Sequence, residues 1–113
     1  MAAEQGSPLA QTMLGILHAE GMGVPQNDTE AVKLFRMAAE QDHADAQFHL
    51  GGMYGLGRGV AVDYVEAYMW VSLAAAHGVD TEPRTAALAK RMSLEQVAAA
   101  KRRAAEWTPK TAD

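Results

Sequence analysis

Laid over itself with an offset of 36 residues, the 113-residue chain repeats. AAEQGSPLAQTMLG, from residue 2, aligns with AAEQDHADAQFHLG, from residue 38. The match runs on: Gly21, Gly23 and Val24 fall on Gly57, Gly59 and Val60, Asn27 falls on Asp63, and Glu30 and Ala31 fall on Glu66 and Ala67. A spacing held through so many positions constrains the chain to an array of like units, each burying its apolar face against its neighbours. The length suits a single domain, residues 1–113. At 49% hydrophobic and 6% aromatic, its core must be built from Ala, Leu, Met and Val. Such a mixture favours close helix packing over a β-sandwich.

Within each unit the apolar residues follow a helical period. Ala10, Leu14, Leu17 and His18 make one stripe, repeated by Ala46, Leu50, Met53 and Tyr54. Ala31, Leu34, Phe35 and Ala38 make a second, repeated by Ala67, Trp70, Val71 and Ala74. Each unit is therefore a pair of amphipathic helices. Asn27 with Glu30, and Asp63 with Glu66, have the spacing of a capping box at the start of the second helix. Gly6 and Gly78 read as glycines closing helices, and Asp42 stands in the equivalent place. Gly15 and Gly51 are anomalous, because a glycine inside a helix costs about 1 kcal/mol relative to alanine. Their recurrence predicts that the partner helix approaches too closely for a side chain.

The stretch AAEQDHADAQFHLGGMYGLGRGVAVDYVEAYMWVSLAAAHG resembles the Sel1-like repeat, an α/α relative of the tetratricopeptide repeat, over roughly residues 2 to 78. His18, standing where the second unit has Tyr54, departs from the pattern. The resemblance implies an all-α solenoid in which antiparallel helix pairs stack into a right-handed superhelix and act as adaptors holding other proteins. Repeat 1 is then residues 2–37 and repeat 2 residues 38–73. Residues 74–107 form a degenerate repeat and C-terminal capping helix pair, and 108–113 a tail.

In that last segment Ala86-Ala87 replaces the Leu-Gly pair and no GxGV turn follows. A helix is predicted from about Pro83 to Arg91. Ser93 with Gln96 then offers a capping box, and Val97, Ala100, Ala104 and Trp107 make an apolar stripe suited to closing the array. Similar final helix pairs end many bacterial Sel1-like proteins. At the other end AAEQG reads as the tail of a helix, so the helix over 8–20 is expected to have an uncovered flank. Self-association through that flank, or membership in a longer array, follows as an expectation.

Several function classes lack support. Residues 1 to 83 hold 3 Lys/Arg against 11 Asp/Glu, and residues 84 to 113 hold 7 against 3. This asymmetry could steer a charged partner, but nucleic-acid binding calls for a larger basic surface and a reading module. No apolar run is long enough to span a membrane, and no partner membrane is expected. With no cysteine, disulfides, thiolate metal sites and a cysteine nucleophile are excluded. His18, His43, His49 and His77 lack metal-ligand spacing, so no metal and no cofactor is expected. Ser7, Ser72 and Ser93 do not begin an S-x-x-K motif, and no catalytic residues are assigned. Met13, Met37, Met53, Met69 and Met92 lie within helical patterns, and core filling explains most of them better than a binding surface does. If Met1 is the natural start the chain is cytoplasmic, whereas a processed or excised fragment leaves periplasmic or exported locations open.

GLGRGV, residues 55 to 60, has the look of a phosphate loop. It repeats EGMGV and lies between helices with no strand before it, so it reads as an inter-helix turn. The structural set is Gly15, Gly21, Gly23, Asn27, Gly51, Tyr54, Gly57, Gly59, Asp63, Trp70, Ser93 and Trp107. Candidate partner-binding residues lie on the first helix of each unit, which lines the concave face in arrays of this class. They are Gln11, Thr12 and Ile16 in the first unit and Gln47, Phe48 and His49 in the second, with Arg58 in the turn. The expected function is non-enzymatic, the holding of a protein or extended peptide. A small-molecule-binding or penicillin-binding-like hydrolytic protein, and a scaffold segment of a longer array, are the alternatives.

Overall fold

The computed structural model describes residues 6–110, which contain six α-helices and no strand. In chain order they are α1 (Pro8–Glu20), α2 (Asp28–Ala39), α3 (Ala44–Leu56), α4 (Tyr64–Ala76), α5 (Glu82–Ala89) and α6 (Leu94–Glu106). AAEQ at residues 2 to 5 and the last three residues lie outside the described part. The starts follow the sequence signals: Asn27 and Asp63 accept hydrogen bonds from the backbone N–H groups of Glu30 and Glu66, each at 3.0 Å. Ser93 and Gln96 close a reciprocal capping box. Pro8 and Pro83 stand in the first turns of α1 and α5. Asp42 closes the second helix with φ 66°, a left-handed conformation that a carboxylate side chain tolerates better than most.

The two complete units pack as antiparallel pairs, α1 on α2 and α3 on α4, with α2 joining them by packing on α3. The helical glycines set the separation within each pair. A Cβ on Gly51 would stand 2.6 Å from Val71 Cγ2 and 3.0 Å from the Ala67 carbonyl oxygen. One on Gly15 would stand 2.7 Å from the Phe35 ring. Such closeness buries Ala31, Phe35, Ala38, Ala46, Leu50, Ala67, Val71 and Ala74 almost completely. Small alanines on α2 and α4 let the larger residues interdigitate between them.

The third unit departs from this plan. α5 is short, running only to Ala89 rather than Arg91, and both Ala86 and Ala87 are exposed. α5 and α6 each lean on α4 and hardly on each other, so the expected capping pair is two helices docked separately on the second unit. α6 lies along α4 with Ala100 buried, and Trp107 meets Trp70 edge-on at 5.8 Å between ring centroids. Beyond it the chain doubles back over the array, and the Lys110 N–H donates to the Glu40 carbonyl at 2.7 Å. Lys110, in the segment expected to be a tail, is thus anchored to the end of α2.

Gly51→Leu should lower the thermal midpoint by about 5 °C or more: a Cβ there meets a backbone oxygen as well as Val71, so overpacking of about 3 kcal/mol, less the roughly 1 kcal/mol that helix propensity returns, leaves about 2 kcal/mol of destabilisation. Thermal melting followed by circular dichroism checks it. A variant melting within a few degrees of the parent would show that the pair has room for a side chain.

Candidate functional site

The first helices separate the candidate residues by burial. Gln11 and Gln47 were expected on a solvent-facing side, yet both are fully buried, and Thr12 is nearly so. These three cannot meet a partner, and their polar groups serve the fold instead. Gln47 donates from Nε2 to the Ala39 carbonyl at 3.3 Å and to Asp42 Oδ1 at 3.0 Å, fastening the α2–α3 corner. Gln41 donates to Gln11 Oε1 at 3.2 Å, tying the end of α2 to α1. Thr12 donates to the Pro8 carbonyl one turn back. Ile16 is half-buried against the core, and His49 stacks on Phe35 with ring centroids 5.1 Å apart.

Arg58 is also a structural residue. Its guanidinium grips Asp28 through two nitrogens, at 2.8 and 3.2 Å, and donates to the Ala19 carbonyl at 2.8 Å. Ala19 ends α1 and Asp28 begins α2, so the turn of the second unit staples the first. Gly59 beside it allows that seat, because a Cβ there would stand 2.4 Å from the Asp28 carbonyl oxygen. Its counterpart Gly23 meets nothing within 4 Å. The glycine-rich turn therefore holds protein backbone where a phosphate loop would hold a ligand.

Of the candidates, Phe48 alone lines an open groove. The groove lies between α3 and α5, has a volume of about 590 Å³, and is lined by Phe48, Gly52, Leu56, Tyr64, Arg84 and Leu88, among others. It exists because the third unit lacks the Leu-Gly pair that draws a first helix inward. Gly52 supplies its flat floor, over which Arg84 lies: a Cβ on Gly52 would stand 3.0 Å from Arg84 Nη1. The guanidinium sits 3.8 Å from the centre of the Phe48 ring and donates to the Phe48 carbonyl at 2.8 Å. Arg84 was not among the candidates. Its signal was periodicity, since residues 12, 48 and 84 share one register position, holding Thr, Phe and Arg in turn.

No cluster of three His, Cys, Asp or Glu suited to a metal occurs among the described residues. His77 pairs with Asp42 at 2.8 Å on the surface, while His49 is enclosed between α2 and α3. No helix among the described residues is long and apolar enough to cross a membrane.

Burial, and next the charge of Arg84, push the His49 pKa below the usual imidazole range, against weaker opposite pulls from Asp45 and Glu20. The folded state therefore favours neutral His49. That contribution to stability is complete above the unfolded-chain pKa of about 6.5 and is lost as pH falls through that value toward the lower folded one. Between about pH 7.5 and 5 the urea midpoint of the parent should fall more than that of His49→Phe. Parallel profiles would show that His49 is not the titrating group.

The Sel1 repeat family profile matches residues 8–43 and 44–79, the same period in a frame six residues later than the one read from the sequence. No curated protein sequence matches the chain. Among solved structures, one similar fold is c5321, a protective antigen of uropathogenic Escherichia coli strains displaying an SLR fold. It is 31% identical with a TM-score of 0.86, over 91% of this chain and 22% of that one. A Sel1 repeat protein from Oxalobacter formigenes is 43% identical with a TM-score of 0.71, over 74% of this chain and 24% of that one. The chain thus spans under a quarter of either. Repeats of this kind generally serve as interaction modules, and their fold is typically a non-catalytic scaffold. With its glycine-spaced helix pairs and two matched repeats, the chain belongs to the Sel1 repeat family.

Proposed function

We propose that this chain is a non-enzymatic interaction module that holds an extended segment of another protein in the groove between α3 and α5. The observation that carries this reading is the groove itself, an open, largely apolar channel with an aromatic wall at Phe48 and an exposed Leu56 at its rim. Aromatic side chains concentrate binding energy when a partner desolvates them. A small-molecule site would instead be closed, with several polar groups converging on one point. Phe48→Ala combined with Leu56→Ser should reduce capture of the native partner about tenfold or more, with helicity unchanged. Lys33→Ser, on the exposed side of α2, should leave capture as it is. Equal capture by the groove variant and the parent would sink the reading.

A second reading, end-to-end association, is supported by a different face. Leu9 and Met13 are each 58% exposed and Met22 52%. Their counterparts one unit later, Asp45, His49 and Arg58, include the residue that stacks on Phe35 and the one that grips Asp28. The front of α1 thus has the register of a surface that receives another Sel1 helix, with apolar residues in place of polar ones. Sedimentation at high micromolar concentration should show species larger than a monomer, reduced by Met13→Ser. A single monomeric species in the parent would remove it.

A further inference from the structure

The groove between α3 and α5 is apolar along its floor but not electrically neutral. Arg84 stands in the first turn of α5, where a cation opposes the helix dipole and gains nothing from it. Burial disfavours its charge and holds its pKa below the ordinary arginine value. Its hydrogen bond to the Phe48 carbonyl occupies one guanidinium N–H, and the others have no protein acceptor among the described residues. Among the described residues no carboxylate lies within ion-pair distance of it, whereas Arg58 and Arg103 are paired with Asp28 and Glu66. Arg91, just past the end of α5, lines the same groove, is exposed, and likewise has no carboxylate partner among the described residues. The acidic side chain among the lining residues, Asp80, accepts a hydrogen bond from the Glu82 N–H at the start of α5.

A half-buried guanidinium that faces no counter-charge costs stability, and an incoming carboxylate could recover that cost through a forked pair of hydrogen bonds. We propose that the groove selects an extended peptide carrying internal Asp or Glu side chains beside an apolar one, the acid seated on Arg84 and the apolar group against Phe48 and Leu88. Internal acids suit the site better than a chain terminus, because two cations lie along the groove. Seven residues of helix and turn separate them by on the order of 10 Å, which three or four residues of extended chain span. Asp80 at the other end disfavours a second acidic residue there. This inference rests on the groove being a peptide site, and it adds what the peptide must contain.

The test is an array of random decapeptides, N-acetylated and C-amidated so that only side chains carry charge. It is probed with the parent, Arg84→Gln and Arg91→Gln, each first shown to keep the parent's helicity. The parent should enrich peptides pairing Asp or Glu with Leu or Phe. For the best such peptide, measured by fluorescence polarisation, each variant should lose roughly tenfold or more in affinity. Because Arg91 is exposed, its variant keeps the test valid if Arg84→Gln fails to fold. Peptides bound without acidic enrichment, or equally by parent and variants, would overturn the acidic selection while leaving peptide binding intact. Binding only when the same peptides carry a free C-terminal carboxylate would overturn the internal-acid assignment. No retention of any peptide would overturn the peptide site and the selection with it.

Discussion

Two helices can lie only as close together as the smallest side chains between them allow, and here that limit is a hydrogen atom. Gly51 faces Val71 and the Ala67 carbonyl, Gly15 faces Phe35, and at neither place is there room for a methyl group. Each glycine weakens its own helix, but the close approach it permits brings more side-chain atoms into contact across the pair. The alanines of α2 and α4 work in the same sense from the opposite side. Remove this constraint and the pairs separate, and the corner contacts built on their spacing, Gln47 on the Ala39 carbonyl and Arg58 on Asp28, are loosened with them.

The groove follows from the same rule, applied where the sequence stops obeying it. At the third occurrence of the position Ala87 stands in place of glycine and Ala86 in place of leucine, and both are exposed. α5 therefore buries Leu88 alone in the core and lacks the bare backbone that would let it nest closer. α6 docks along α4 instead of closing over α5. The gap on the α3 side remains open, and the residues that a closed repeat would have buried, Phe48 among them, line it.

Much of this was legible in the sequence because a repeat supplies its own internal comparison. Helix pairs, caps, left-handed corners and close-approach glycines all followed from the 36-residue period and ordinary helix chemistry. The errors had physical causes. Gln11 and Gln47 look like surface residues, and amphipathic reasoning placed them outside. Their recurrence at one register position is the sign that a polar group is needed inside: Gln47 supplies a donor to the Ala39 carbonyl at the helix corner, and Gln11 an acceptor to Gln41. Arg58 has no polar counterpart in the first unit, where Met22 stands, and its own partners Ala19 and Asp28 lie in the preceding unit. Its role becomes visible only when one unit is set against the next. The decay of the third unit was plain, but period alone does not say which neighbour a released helix will choose.

The short segment after Trp107 has a consequence for how the molecule comes apart. Repeat arrays are built from contacts between near neighbours in sequence, so they tend to fray from their ends, one helix at a time. In this chain Lys110 bonds to the backbone of Glu40 and its ammonium lies 3.3 Å from the Glu40 carboxylate, closing a loop that encloses everything from α3 to α6. α6 cannot peel away while that bond to the first unit holds. Fraying of the last helix and loosening of α2 are thereby coupled, by the roughly 1 kcal/mol that one such backbone bond contributes, and a fold assembled from local contacts gains a link between its last helix and its first unit.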